Sequence, residues 1–155
     1  MTDTRLAGPG DIDELVRLRE IMLAPWVDMS DPAWKAPTAE ILKRRLFADE
    51  PTMCAIVIDA PDGSGRLAAC AVGVISERLP GPHNLTGRYG WVFNVVTDAE
   101  WRRRGYSRAC MDALMAWFAE CGVDVVELLA SEQGQGLYEQ IGFKVSSEPA
   151  MRWRG

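Results

Sequence analysis

After Asp11 the apolar residues recur with a helical period. Ile12, Leu15, Val16, Leu18 and Met22 fall on one stripe, which predicts a helix ending near Leu23. Gly8-Pro9-Gly10 breaks the chain ahead of it and Pro25 stops it. Asp11 followed by Glu14 reads as a capping box. Upstream, Thr4–Ala7 reads as a short edge strand. A second stripe, Ile41, Leu42 and Leu46, predicts a helix over Thr38–Ala48 with those residues inward. The pattern then changes. Met53–Asp59 is a short apolar run, and Arg66–Ile75 is rich in Ala, Val and Leu. Pro-Asp-Gly-Ser-Gly at 61–65 turns the chain between them, so the two strands pair as a hairpin.

Residues 76–90 are rich in breakers and are expected to form a long functional or mobile loop. Trp91–Thr97 is the strongest strand signal. Ser107–Cys121 predicts a helix with Cys110, Leu114, Trp117, Phe118 and Cys121 inward. Arg108, Asp112 and Glu120 face outward, and Gly122 ends the helix. Val125–Ala130 reads as a buried strand and Gly136–Ile141 as a short helix closed by Gly142. Phe143–Ser146 and Ala150–Trp153 read as short closing strands. The order β-α-α-β-β-β-α-β-α-β-β predicts an α/β (α+β) domain with helices on both faces of a mixed sheet. The strand–helix–strand unit at 91–130 requires a parallel pair with a right-handed crossover. With no repeat, linker or low-complexity tract, a single domain is expected over residues 1–155.

Composition narrows the partners. The chain has 17 Lys+Arg against 22 Asp+Glu, a formal charge of −5. An acidic balance argues against nucleic acid and against an anionic membrane surface, both of which attract positive charge. The four cysteines, Cys54, Cys70, Cys110 and Cys121, form no CxxC pair, and His83 has no neighbouring Cys, so no metal site is expected. Cys110 and Cys121 share a helix face but lie about 16 Å apart along its axis, too far for a disulfide. All four are expected to be reduced core residues of a cytoplasmic protein. No apolar run reaches roughly 18 residues and the N-terminus has no apolar signal segment.

The chemistry concentrates at Arg102-Arg103-Arg104-Gly105-Tyr106-Ser107, between a strand and a helix. Such a junction exposes unpaired backbone N–H groups at the positive end of a helix dipole. Gly105 permits close approach of the backbone and the arginines add charge, which suits a phosphate or pyrophosphate. The bland alternative is a solvated arginine face. The turn lacks the GxxxxGK[ST] and GxGxxG patterns of the common nucleotide sites.

Residues 94–118, NVVTDAEWRRRGYSRACMDALMAWF, resemble the coenzyme A-binding segment of the GNAT superfamily of N-acetyltransferases. The family pattern Q/R-x-x-G-x-G/A falls on Arg102 through Ser107, with Ser107 where Gly or Ala is usual. Residues 128–143, LLASEQGQGLYEQIGF, resemble the family's following strand, short helix and final strand, with Leu137–Phe143 carrying its Leu-Tyr-x-x-x-Gly-Phe signature. The resemblance implies a mostly antiparallel sheet of six to seven strands with a parallel pair at the cofactor site. It implies acetyl-CoA as cofactor, with the pantetheine arm paired to free backbone of Val95, Val96 and Thr97 and the pyrophosphate on N–H groups from about Arg103 to Ser107. The thioester would lie near Asn94–Val95, where a strand N–H could stabilise the oxyanion of a tetrahedral intermediate. Tyr138 matches the family's general acid; read without the family it is a core tyrosine bonded to backbone.

A base must take a proton from the acceptor amine, and Glu77, His83, Asp98 and Glu132 are candidates, of which Asp98 is better read as organising its turn. The family's acceptor loops correspond to 25–34 and 76–90. Their Trp26, Trp34, Asp28, Asp31, Glu77 and Tyr89 would form an aromatic, acidic rim for a cationic amine, unless the tryptophans only cover the core. The expected activity is direct transfer of acetyl to a primary amine of a small molecule or peptide. A non-catalytic acyl-CoA-binding module and an acyltransferase of longer chains or O-linked acceptors are the alternatives. Family members are often dimers, which leaves a homodimer open.

Overall fold

The computed structural model describes residues 2–155. Its elements are β1 (Arg5–Leu6), α1 (Ile12–Leu23), α2 (Lys35–Leu46), β2 (Met53–Asp59), β3 (Leu67–Glu77), β4 (Arg88–Thr97), α3 (Tyr106–Glu120), β5 (Val125–Leu128) and α4 (Gln135–Ile141). The strands form one five-stranded sheet in the order β1-β2-β3-β4-β5. Every neighbouring pair is antiparallel except β4–β5, which is parallel and joined across α3. The expected six to seven strands are therefore corrected to five among the described residues. Among the described residues, Phe143–Ser146 and Ala150–Trp153 pair with no strand; Val145, Met151 and Trp153 are 75%, 92% and 87% exposed.

The unbroken apolar runs of β2 and β3 reflect cover on both faces. On one face Met53, Ala55, Val57 and Val72 meet Leu15, Leu18 and Leu42 of α1 and α2. On the other, Cys54, Ile56 and Ile58 meet Cys110, Met111, Leu114 and Phe118 of α3. Cys54, Cys70 and Cys110 are buried free thiols and Cys121 is half-buried. Trp117, expected inward, is half-buried, and Met111 takes a core place instead. Ile41, also expected inward, is exposed.

Phe118 explains two glycines. A Cβ on Gly73 would stand 2.7 Å from the Phe118 ring, and one on Gly90 also 2.7 Å. The ring thus lies against bare backbone of β3 and β4, which brings α3 close to the sheet. Gly90→Ala is expected to destabilise the protein by about 1–3 kcal/mol through overpacking. Urea unfolding checks this; an unchanged midpoint would mean that the helix has room to shift.

The Asp11–Glu14 capping box does not form. The Asp11 carboxylate accepts from Gly8 N–H at 2.7 Å and pairs with Arg5. Glu14 accepts from Leu67 N–H at 2.8 Å and from Arg17. Asp11 thus caps the turn that begins at Gly8 rather than α1, and Glu14 is drawn to Leu67, 53 positions away, a partner that local spacing cannot reveal.

Candidate active site

The site is built around a break in β4. Cys70 of β3 opposes Val96, and Val72 opposes Phe93, so Ala71 faces both Asn94 and Val95. This is a β-bulge. Asn94 at its centre has φ 59°. Before the bulge, Val92 packs against the α3 side and Phe93 against the α1 side. After it the parity reverses: Val95 packs toward α3 and Val96 toward α1. One extra residue thus exchanges the faces of the strand end and turns its course.

The parallel ladder with β5 ends at Val92–Leu128. Beyond that point β4 has no strand partner on the β5 side, and the two strands diverge around a cleft of about 970 Å³. Val95, Val96 and Thr97 line it from β4, and Leu128, Ser131 and Tyr138 from the β5–α4 side. A splayed pair of this kind leaves backbone hydrogen-bonding groups available to an extended ligand.

At the far end of β4 the chain enters α3. Arg103 and Gly105 both have left-handed backbone, φ 64° and 76°. The first helical bond at this end runs from Ala109 N–H to Gly105 O at 3.0 Å, so the preceding amides have no helical acceptor. The Thr97 and Ser107 hydroxyls meet at 2.7 Å, and Arg102 Nε donates to Thr97 O at 3.2 Å. These contacts tie the strand end to the helix start. Arg102, Arg103, Gly105, Tyr106 and Ser107 line the cleft. Arg104 does not; its guanidinium stacks 4.9 Å from the Trp101 ring.

Tyr138 sits on α4, half-buried, with its ring edge-on to Phe143 at 6.0 Å between centroids. Burial raises the pKa of its phenol. Among the described residues, no hydrogen bond engages the hydroxyl, so the backbone-bonded core tyrosine is not what is found.

The expected bases and the expected rim lie elsewhere. Glu77, His83, Asp98 and Glu132 do not line the cleft. Asp98 is buried and joined to Arg17 at 2.7 Å and Arg66 at 3.2 Å. Burial opposes its ionisation, but the Arg17 and Glu100 N–H bonds outweigh that and hold it below the ordinary carboxylate range. Asp28 and Asp31 accept from the amides of Ser30 and Ala33 in local turns. Trp34 packs on the α1–α2 core, and Tyr89 lies under Arg78. Of that group only Trp26, 76% exposed, lines the cleft. Sequence reasoning missed Arg19 of α1, whose Nη1 donates to Asn94 Oδ1 at 3.0 Å across 75 positions of chain. No local signal could have paired them.

A model of the acetyltransferase (GNAT) family matches residues 15–143. The chain belongs to the GNAT acetyltransferase family. A GCN5-related N-acetyltransferase from Ralstonia eutropha is 26% identical and superposes over all of both chains with a TM-score of 0.83. A predicted acetyltransferase from Clostridium acetobutylicum, solved with acetyl-CoA, is 22% identical over 98% of this chain and 96% of its own, with a TM-score of 0.81. Glucosamine-6-phosphate N-acetyltransferase from Arabidopsis thaliana is 19% identical over 99% and 98%, with a TM-score of 0.74. No curated protein sequence matches the chain. The family accounts for the fold as found, and no helix among the described residues is long and apolar enough to cross a membrane.

Proposed function

We infer that this GNAT protein transfers the acetyl group of acetyl-CoA directly to a primary amine of a small molecule or peptide. The observation that carries the reading is the union, in one cleft, of a splayed β4 end, an amide-rich arginine turn and an unengaged phenol. The residues fit the coenzyme. Backbone of Val95, Val96 and Thr97 would pair with the pantetheine amides. The amides from Arg103 to Ser107, with the Arg102 and Arg103 side chains, would hold the pyrophosphate at the α3 N-terminus. Bound acetyl-CoA supplies an activated acetyl group and a thiolate leaving group.

The protein's own groups then divide the work. The Val95 N–H would donate to the thioester oxygen, where negative charge develops. Tyr138 O–H would give its proton to the departing sulfur. No carboxylate or imidazole of the described residues lines the cleft, so the amine proton leaves through water. Among the described residues, the charged side chains lining the cleft are all arginines, which disfavours a polycationic acceptor.

Isothermal titration with acetyl-CoA tests the coenzyme site. Saturable binding is expected, weakened tenfold or more in Arg103→Glu, because a charge-assisted hydrogen bond of about 1.5–3 kcal/mol becomes a repulsion. Equal affinity in the variant would displace the phosphate from this turn. Binding without turnover of any amine would favour the non-catalytic acyl-CoA-binding reading.

A further inference from the structure

Asn94 holds a conformation that side chains other than Gly, Asn and Asp rarely adopt. It does so inside a strand and beneath the sheet's helical cover, where it is only 6% exposed. Its buried side-chain amide needs a partner there, and that partner sets how firmly the left-handed backbone is held. The fixing contact is Arg19 Nη1 to Asn94 Oδ1, at 3.0 Å. Arg19 is half-buried and pairs with no carboxylate among the described residues, unlike Arg17 two positions earlier, which holds Glu14 and Asp98. A half-buried guanidinium bonded to a neutral amide forgoes the usual compensation for its desolvation. That arrangement makes little sense as a stabilising device. It makes sense as a clamp. Cys70 of the neighbouring strand β3 adds to it: its Sγ lies 3.4 Å from Asn94 O and 3.8 Å from Nδ2.

The clamp acts where the chemistry is placed. Residue 94 is the pivot of the bulge, and the bulge decides which way the next backbone unit points. Arg19 also lies one turn before Met22 and Leu23, which line the cleft. We propose that Arg19 is a positioning residue for acetyl transfer, holding Asn94 left-handed so that the Val95 N–H is aimed at the thioester oxygen. The proposal rests on the acetyl-CoA reading above. Arg19 itself touches no reacting atom; it acts through the backbone of another residue.

That indirect route gives a sharp genetic test, since glycine adopts a left-handed conformation without help. With glycine at 94, Arg19 becomes dispensable. The experiment follows the Val95 amide resonance of ¹⁵N-labelled protein titrated with acetyl-CoA and, separately, with free coenzyme A, so no acceptor need be known. In the unaltered protein, acetyl-CoA but not coenzyme A moves the Val95 proton downfield. In Arg19→Met that acetyl-specific shift falls by half or more, while affinity for free coenzyme A stays within about twofold. In Arg19→Met/Asn94→Gly it returns toward the level of Asn94→Gly alone. An undiminished shift in Arg19→Met overturns the proposal, and so does an equal loss on both backgrounds, which would give Arg19 a role independent of residue 94. If Arg19→Met does not fold, a folded double variant with the shift restored supports the clamp. If neither folds, Arg19 serves the core and the proposal fails. Absence of acetyl-CoA binding by the unaltered protein is a distinct result: it removes the acetyltransferase reading, and the proposal with it.

Discussion

Tyr138→Phe is expected to lower kcat by about 100-fold, the lower end of what a positioned general acid contributes, and to leave acetyl-CoA affinity within about twofold. The ring stays in place without its hydroxyl. It packs edge-on against Phe143, and its edge would stand 3.1 Å from a Cβ at Gly134, so shape and not hydrogen bonding sets its orientation. What the variant loses is the hydroxyl of a residue that lines the cleft. Burial raises the phenol above its ordinary value near 10, so the neutral, donating form persists throughout the physiological range. The sign follows: activity that depends on the protonated phenol is complete at neutral pH and declines only as pH climbs through that raised value. Steady-state rates with any accepted amine, measured to high pH, check both features. A Phe variant with an unaltered rate removes Tyr138 from the reaction. A variant that loses coenzyme affinity along with rate would instead make the phenol a binding group.

That the Arg102–Ser107 turn and Tyr138 come to one cleft is legible in the sequence because each segment is encoded locally. The turn needs a strand end, a glycine with positive φ and a helix start, and all three lie within a few residues around Gly105. The hairpin β2–β3 was legible for the same reason: two apolar runs flank one run of turn residues. Helix α2 began earlier than its apolar stripe suggests, at Lys35, because Pro37 falls in its first turn, where a missing N–H has no helical acceptor to lose. The two closing strands are absent among the described residues for a different reason. Phe143–Ser146 and Ala150–Trp153 have strand-like alternation, but a strand exists only where another edge receives it, and pairing cannot be read from one segment. Pro149 between them also removes a donor.

The acidic rim shows the limit most clearly. Loop position placed Asp28 and Asp31 near the acceptor, yet each satisfies an amide two residues onward in its own turn. Short polar side chains near backbone donors are consumed locally before they can reach a ligand. The Arg19–Asn94 clamp is the converse case, since its partners are distant in sequence and neither is marked by its neighbouring residues. Function at this site therefore divides between a local motif, which a sequence displays, and a long-range clamp, which only the fold assembles.

Arg17→Met should destabilise the protein by about 2 kcal/mol, below the range for breaking a fully buried ion pair because the Arg17 side chain is 26% exposed. Arg17 joins α1 to the end of β4: it bonds Glu14, the Leu67 carbonyl and Asp98. The Asp98 side chain is 7% exposed, and Arg66 at 3.2 Å is its only other cationic partner among the described residues. Without Arg17 the Asp98 carboxylate is left mostly desolvated. Burial opposes the ionisation of both Glu14 and Asp98, yet their hydrogen bonds prevail and hold both below their ordinary values. Their contribution is therefore present above the unfolded carboxylate range near 4 and disappears as pH falls through the lower folded values. Acid titration followed by circular dichroism should place the unfolding midpoint of Arg17→Met at higher pH than that of the unaltered protein, and urea unfolding at neutral pH should give the loss directly. The consequence extends to the coenzyme site. Asp98 N–H bonds Ala68 O at 2.8 Å, Asp98 Oδ1 accepts from Glu100 N–H at 3.2 Å, and the chain proceeds from there into the arginine turn. Loosening that anchor loosens the amides from Arg103 to Ser107, so acetyl-CoA affinity should fall severalfold although Arg17 lies outside the cleft. Full stability loss with undiminished affinity would mean that the turn holds its own shape through the Thr97–Ser107 hydroxyl contact and the Arg102 bond to Thr97 O.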